Sequence, residues 1–300
     1  MGEQPLVHES YTFDPFARHP FYTDINRSLV RRTLERLDTA RPKGERVRIV
    51  ELAAGTGAVT QLILDELERL ERPAHVTAIE PSGEAIAVAR KALLGRDVRF
   101  VQGDAHHLAQ IGPEADAVFF CNAIHLVPDK ADVLTKIVRL LRTGGLFACN
   151  SAFYVGSQTP ESERFAHLWI RRALGWIRQH HPEVRASRRD HVATITWYSA
   201  DEYASLLETH DLRLVDRELQ VVNLPVRAIQ DIGRYWLFIE GALPGIPIPI
   251  GAEALEWAAA EAGTELNMTT VPRVWLQLVA QRAEAALEPA LAAHVERTIL

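Results

Sequence analysis

The sequence has few cysteines and no long uninterrupted apolar run. Cys121 and Cys149 both stand in apolar stretches without a second thiol nearby, so neither a disulfide framework nor a cysteine metal site is predicted. We expect both to be reduced core residues of a cytoplasmic protein. No apolar stretch reaches the roughly 18 residues that a membrane-spanning helix needs, and no basic segment followed by an apolar run marks a signal peptide.

An excess of positive charge is also absent. The formal net charge is -6, with 33 Lys+Arg against 39 Asp+Glu. This balance gives no overall positive field to attract nucleic acid or a membrane surface. The 300 residues, 47% of them hydrophobic, suit one α/β domain with insertions. We expect a small-molecule partner, no nucleic acid and no membrane, and a homo-oligomer is left open.

Strand-like and helix-like segments alternate along the first half of the chain. Such alternation with short links predicts a parallel sheet with helices on both faces. Two later strands bring the total to seven, so we expect a Rossmann-like, doubly wound, mostly parallel seven-stranded α/β sheet. The predicted strands are 47–53, 75–80, 98–104, 115–127, 146–154, 211–222 and 273–281, and the predicted helices of the first half are 24–40, 58–72, 82–94 and 129–145, the last closed by glycine.

The second half is richer in helical segments, and all six tryptophans lie there. Helices are predicted at about 160–182, 226–242 and 252–262, and together they indicate an inserted helical cap over a pocket. The chain is therefore divided into an N-terminal helical arm (1–45), a Rossmann-like core (46–155), a cap or substrate region (156–272) interleaved with the late strand 211–222, and a final strand with a C-terminal tail (273–300).

The stretch ELAAGTGAVT, residues 51–60, is a strand–glycine–helix turn typical of nucleotide-like cofactor sites. No Gly-Lys-Ser/Thr follows, which excludes a Walker-type ATP site. Thr60 stands where the dinucleotide fingerprint has its third glycine. Glu51 suits the positively charged amino group of an amino acid and would sit badly beside a pyrophosphate. The turn therefore favours S-adenosyl-L-methionine (SAM) over nicotinamide and flavin dinucleotides.

Polar residues follow the neighbouring strands at the same edge of the predicted sheet. Glu80 ends the second strand, 23 positions after Gly57, and is placed to accept both ribose hydroxyls. Asp104 follows the third strand, where a carboxylate can accept the adenine amino group. Residues 122–125 lie at the end of the fourth strand. Ligands of such sheets bind at the carboxyl ends of the strands.

These four motifs, in this order, resemble those of the class I SAM-dependent methyltransferases of the small-molecule or natural-product type, over about residues 45–155. In that family the acid–x–Gly–x–Gly–x–Gly turn binds the methionine part, and here Ala53 replaces the first glycine. In similar enzymes an aromatic N-terminal segment, here residues 11–26, closes the site against water, and it adds Tyr11 and Tyr22 to the expected cofactor site. The resemblance implies SAM as cofactor and a cofactor site of Tyr11, Tyr22, Glu51, Ala53, Gly55, Gly57, Glu80, Pro81, Gly103, Asp104, Ala105, Asn122 and Ala123.

The sequence says less about the substrate. It lacks the Asn/Asp-Pro-Pro-Tyr box, the Pro-Cys nucleophile of RNA-cytosine enzymes and the acidic cluster of metal-dependent catechol enzymes. We therefore expect a small molecule, no metal, and methyl transfer by positioning with or without a general base. His125 and Tyr154 are the catalytic candidates, because they follow the fourth and fifth strands.

The cap contains seven arginines and two tryptophans within residues 164–189. These arginines are either a solvated helix face or an anion-binding wall for an apolar acid or a prenyl diphosphate. We predict O- or C-methylation of a small, mainly apolar metabolite of secondary metabolism. Two alternatives stay open: a SAM-binding enzyme that does not methylate, such as a cyclase, and an NAD(P)-dependent reductase. The predicted substrate residues are Trp169, Arg172, Trp176, Tyr198 and Trp236.

Overall fold

A computed structural model describes residues 10–105, 108, 111, 114–185 and 197–283, and its seven strands form one mixed sheet in the order β3-β2-β1-β4-β5-β7-β6. Strands β1 to β5 run parallel, β6 runs in the same direction, and within the described residues β7 is the one strand that runs opposite to the others. The predicted mostly parallel, seven-stranded α/β sheet is confirmed. The strands are β1 Val47–Leu52, β2 Ala74–Glu80, β3 Val98–Gln102, β4 Ala115–Cys121, β5 Leu141–Ser151, β6 Leu212–Pro225 and β7 Thr270–Arg282.

Helices cover both faces of this sheet. Those on one face bury apolar residues such as Leu29 and Ile63 against Phe119, while those on the other bury residues such as Ile137 against Phe147. In the part of the chain that the structure describes, no helix is both long and apolar enough to cross a lipid bilayer. The helices are α1 Asp14–Ala17, α2 Pro20–Ala40, α3 Ala58–Arg69, α4 Gly83–Ala92, α5 Lys130–Leu140, α6 Pro160–His180, α7 Ala200–Glu208, α8 Val226–Ile232, α9 Trp236–Ala242 and α10 Ile248–Glu265, with a short 3-10 helix at Ile124–Leu126.

The helical segments of the second half pack against one another. Helix α6 lies between β5 and β6 in sequence, whereas α8, α9 and α10 lie between β6 and β7. Trp169 of α6 stacks on Phe238 of α9 with ring centroids 5.2 Å apart, and its Nε1 donates to the Leu255 carbonyl oxygen of α10 at 2.8 Å. Two insertions that are distant in sequence thus form one helical layer. The boundaries of arm, core and cap stay a prediction.

The helix predicted over 129–145 ends early, and its closure by glycine is wrong. Helix α5 ends at Leu140, and Gly144 and Gly145 both lie in β5. Gly144 has φ +74°, in the left-handed region, and the pairing of β4 with β5 shifts register here. The strand predicted over 115–127 is also shorter than expected, because Asn122 adopts φ +56° and the 3-10 helix follows.

Replacing Gly145 with alanine is expected to destabilise the fold. The new Cβ would lie 2.9 Å from the Arg142 carbonyl oxygen and 3.0 Å from that of Ala115, and backbone atoms cannot move aside without disturbing β4 and β5. We expect the free energy of unfolding to fall by about 1–3 kcal/mol in urea denaturation. Gly241→Ala is the matched control, because no atom lies within 4 Å of its Cβ and alanine favours a helix. Equal losses in both variants would contradict this account.

Candidate active site

The turn after β1 is built on backbone conformations that favour glycine. Ala53, Gly55 and Gly57 have φ +54°, +56° and +88°. A Cβ at Gly57 would lie 3.2 Å from the Ala89 Cβ and 3.1 Å from a methyl carbon of Leu93, so this glycine is also needed for close packing on α4. The turn leads directly into α3, whose first N–H groups have no partner within the helix and form the positive end of its dipole.

Glu80 links this turn to the end of β2. Its Oε2 accepts a hydrogen bond from the Gly55 N–H at 2.9 Å, and its Oε1 accepts one from the Ser82 N–H at 3.0 Å. Its backbone oxygen accepts from the Gly103 N–H at 3.0 Å. The carboxylate is buried, so these donors replace water. Three predicted cofactor residues, Gly55, Glu80 and Gly103, are thus in direct contact, while Pro81 and Asp104 are exposed at the same edge.

Glu51 is the buried acid of the site, with only 2% of its surface exposed. Thr60 Oγ1 donates to its Oε2 at 2.6 Å. Burial raises the pKa of Glu51 to about 8, against the opposing effect of the Thr60 hydrogen bond, and the nearby charge of Glu80 adds to the rise. A carboxylate in this position becomes charged readily only when a cation approaches. The buried Glu51 carboxyl, with Glu80 nearby, therefore fits the amino group of an amino-acid ligand.

A network of side-chain amides, buried at Asn26 and Asn150 and half-buried at Asn122, holds the N-terminal arm on the sheet. Asn122 Nδ2 donates to Tyr22 Oη at 3.1 Å and to Asn26 Oδ1 at 3.0 Å. Asn150 Nδ2 donates to the same Asn26 oxygen at 2.9 Å, and Trp275 Nε1 donates to Asn122 Oδ1 at 3.1 Å. Tyr22 and Asn122 were predicted site residues. Sequence reasoning missed Asn26, Asn150 and Trp275 as partners in this network.

The arm also contacts the glycine turn and the cap. Thr56 Oγ1 donates to Asp14 Oδ1 at 2.6 Å, and the Trp236 N–H donates to the Tyr11 carbonyl oxygen at 3.0 Å. Phe13 packs between Tyr22 and Tyr235, with ring centroids 5.6 and 5.4 Å away. Burial and the charge of Glu80 raise the pKa of the Tyr235 phenol, which indicates that this ring lies near Glu80. Tyr235 has no motif around it, and sequence reasoning missed it.

The two catalytic candidates, His125 and Tyr154, are both buried. His125 is buried, with its ring centroid 4.8 Å from that of Phe153 and its Nδ1 2.9 Å from Ser151 Oγ. Burial, followed by the charges of Lys130 and Arg273, lowers the pKa of His125 to about 3. The imidazole is therefore neutral near pH 7 and a weak proton acceptor. Its role as a base stays a prediction.

Tyr154 is buried as well, and burial raises the pKa of its phenol against the opposing charges of Arg273 and Arg217. Its hydroxyl is therefore protonated near pH 7, so it is available as a donor to a ligand. Across the described ranges of the chain, no group of three or more His, Cys, Asp or Glu side chains is arranged to hold a metal ion.

The predicted substrate residues fall into two groups. Trp169 is buried among the helices of the cap, Tyr198 has Lys130 Nζ 5.1 Å from its ring centroid, and the backbone N–H of Trp236 is bonded to the arm. Arg172, by contrast, is exposed and donates from Nε to Glu265 Oε2 at 3.0 Å, and Trp176 stacks on His180 at 4.4 Å. None of these contacts of Arg172 and Trp176 involves a predicted cofactor residue. Arg188 and Arg189 of the same stretch lie outside the described residues.

The raised pKa of Glu51 predicts a stability that depends on pH. In the unfolded chain this carboxyl loses its proton near its usual pKa of 4.5, whereas the folded protein without ligand keeps the proton until about pH 8. The unfolded state binds fewer protons between these values, so the free energy of unfolding falls as the pH rises through this window. The slope contributed by Glu51 is at most about 1.4 kcal/mol per pH unit.

Glu51→Gln is expected to remove this slope, because it keeps an acceptor for Thr60 and has no proton to lose. Urea denaturation at about pH 5, 6.5 and 8 measures the effect. Glu84→Gln, at an exposed position on α4, is the control and should retain the slope. Parallel curves for wild type and Glu51→Gln would show that Glu51 does not titrate in this range.

Residues 49–145 match a family model described as a methyltransferase domain. The chain is 32% identical over 105 residues to the fatty-acid O-methyltransferase of Mycolicibacterium smegmatis, covering 35% of this chain and 37% of that protein. It is 28% identical over 153 residues to the demethylmenaquinone methyltransferase of Thermotoga maritima, covering 48% of this chain and 62% of that protein. The chain thus spans less than two thirds of the length of these relatives.

Among solved structures, a candidate methyltransferase of Bacillus halodurans superposes with a TM-score of 0.51 at 13% sequence identity. The superposition covers 84% of this chain and 99% of that one. At this identity the likeness concerns the fold, and it agrees with the observed sheet order.

Proposed function

We propose a function from the premise that residues 49–145 form a class I SAM-dependent methyltransferase domain. The predicted family and its cofactor, SAM, are confirmed by the family match and by the methyltransferases that the chain resembles. The proposed reaction is transfer of the SAM methyl group to an oxygen or carbon atom of a small, mainly apolar metabolite. The observation that carries it is the pairing of a buried Glu51 with a Glu80 that is bonded to the glycine turn.

The acidic residues at the ends of β1, β2 and β3 each suit a different part of SAM. Glu51 would hold the amino group, since an approaching cation stabilises its charged form. Glu80 would accept the ribose hydroxyls, and Asp104 would accept the adenine amino group. When bound, SAM supplies a methyl group on a positively charged sulfur. The arm, joined to the turn by Asp14 and Thr56, would exclude water from that methyl group.

The substrate would lie beneath the cap, beyond Asn122 and Ala123. Aromatic and apolar side chains of the arm and the cap belong to one cluster, which supports an apolar acceptor. The relatives named above act, by their names, on a fatty acid and on demethylmenaquinone, and both compounds have large apolar parts. The proposal places substrate contacts on Trp169, Tyr198 and Trp236 before Arg172 and Trp176. Arg172 is exposed and already bonded to Glu265, and Trp176 stacks on the exposed His180.

The wider setting of the activity is part of the same proposal. Cys121 and Cys149 are buried free thiols, which supports a reducing, cytoplasmic compartment. A role in secondary metabolism and the division into arm (1–45), core (46–155) and cap (156–272) belong to it as well. The formation of a homo-oligomer stays a prediction that sedimentation analysis would test.

Binding of S-adenosylhomocysteine tests the cofactor site. Glu80→Gln is expected to weaken binding by about 1–3 kcal/mol, as for the loss of a charged hydrogen-bond acceptor, in isothermal titration calorimetry. The thermal midpoint of each protein reports whether the turn is intact. Glu84→Gln, exposed two residues beyond Ser82, should bind as the wild type does, and NADH should bind to none of them. Binding of NADH in place of S-adenosylhomocysteine would overturn the proposal.

The pH dependence of methyl transfer tests the role of His125. Transfer of labelled methyl from SAM to decanoic acid and to a hydroquinone gives kcat/KM between about pH 5 and 8. Since the His125 pKa is held near 3, we expect no ionisation of this residue in that range. His125→Asn should lower kcat/KM by less than about 100-fold, the lower limit typical of general acid–base catalysis, without changing the profile. An inflection near pH 6.5 that disappears in the variant would establish a base.

A further inference from the structure

Arg273 stands near the start of β7, beyond the end of β5. Its Nε donates to the Ala152 carbonyl oxygen at 2.8 Å, and its Cζ lies 5.3 Å from the centroid of the Phe153 ring. Neither Nη group donates a hydrogen bond to a residue in the described ranges, and no carboxylate of those ranges forms an ion pair with it. The guanidinium is therefore oriented by one backbone oxygen and one ring, with most of its donors still available.

Positive charge lies on more than one side of this pocket wall. The charges of Arg273 and Lys130 both lower the pKa of His125, and the charge of Arg273 also acts to lower the pKa of Tyr154. The Lys130 ammonium donates to the Val127 carbonyl oxygen at 2.8 Å and lies over the Tyr198 ring. Burial lowers the pKa of Arg273 to about 10, which leaves it charged at pH 7. Arg273 is half-buried, and a cation partly removed from water is stabilised when an anion comes beside it.

Aromatic rings lead from the surface to this cation. Phe153 contacts His125 on one side and Trp197 on the other, with the Trp197 ring centroid 6.1 Å away in an edge-to-face arrangement. Trp197 is 41% exposed, and Tyr198 beside it is half-buried. A ligand entering here would place an apolar body against these rings and its polar end at the guanidinium.

We propose that Arg273 binds a carboxylate of the substrate, with Phe153, Trp197 and Tyr198 forming the walls for its apolar part. A guanidinium recognises a carboxylate through two parallel hydrogen bonds, and the free Nη groups would make them. This inference rests on the proposed function and specifies its substrate class as amphiphilic carboxylic acids. It also moves the anion site away from the arginines of α6, of which Arg172 already has Glu265 as its partner.

The test is calorimetric titration of the full chain with decanoate, phenylacetate and decan-1-ol, each with and without S-adenosylhomocysteine. The variants are Arg273→Gln, Arg273→Lys and the control Arg213→Gln, an exposed residue at the start of β6 that bonds to Gln281. We expect Arg273→Gln to weaken carboxylate binding by about 10- to 150-fold while decan-1-ol binding is unchanged. Arg273→Lys should retain part of the preference for the acid, and Arg213→Gln all of it.

Three results would overturn the carboxylate site: failure of both carboxylates to bind the wild type, equal affinity for decanoate and decan-1-ol, or unchanged carboxylate binding in Arg273→Gln. Each titration is also performed without S-adenosylhomocysteine. Failure of S-adenosylhomocysteine to bind would therefore count against the proposed function, whereas the carboxylate titrations would still decide the role of Arg273. Unaltered S-adenosylhomocysteine affinity and thermal midpoint in Arg273→Gln would show that the variant is folded.

Discussion

The hydrogen bonds of Asn122 join the sheet, the N-terminal arm and β7 at one point, and the geometry of the site depends on them. Asn122 has a left-handed backbone, so it ends β4 abruptly and turns its amide towards α2. Burying several amides is tolerable only when each has partners, and here Asn26, Asn150 and Trp275 provide them. Because Tyr22 belongs to the same network, the arm cannot shift without breaking bonds at the ends of two strands.

The candidate site is electrically divided. Glu80 provides negative charge beneath the glycine turn, and Glu51 adds to it once a cation binds, whereas Arg273 and Lys130 provide positive charge beyond β4 and β5. A cofactor with a cationic amino group and sulfur suits the first side, and an acidic substrate suits the second. The two charges also favour the correct placement of each ligand. The positive side repels the cationic cofactor, and the negative side repels an acidic substrate.

The local features of the fold could be predicted from the sequence because they depend on short-range patterns. Apolar strands, the turn at Gly55 and Gly57 and the acid at Glu80 all lie within one β–α–β span. Gly144 and Gly145 were misread because a glycine after a helix and a glycine in a strand irregularity look alike without the partner strand. Knowledge of the β4 pairing was needed to tell them apart.

The residues missed by sequence reasoning owe their roles to distant partners. Asn26 bonds to Asn150, 124 positions away, and Tyr235 comes near Glu80 only through the fold. One signal was present: the pattern Phe-x-Cys-Asn occurs twice, at 119–122 and 147–150, at the ends of adjacent strands. The two copies point their phenylalanines to opposite faces of the sheet, while both asparagines enter one network.

The environment of His125 bears on how a nucleophile would form in this site. Burial is the main cause of the low pKa of His125, and the charges of Lys130 and Arg273 add to it; those two charges would also lower the pKa of an acidic group bound beside them. A carboxylic acid near Arg273 would then be ionised across the physiological range before any base acted on it. Methyl transfer to such a group would depend on alignment and exclusion of water, for which a rigid arm and an aromatic cap are suited. A neutral histidine bonded to Ser151 would then be a positioning residue in the wall of the pocket.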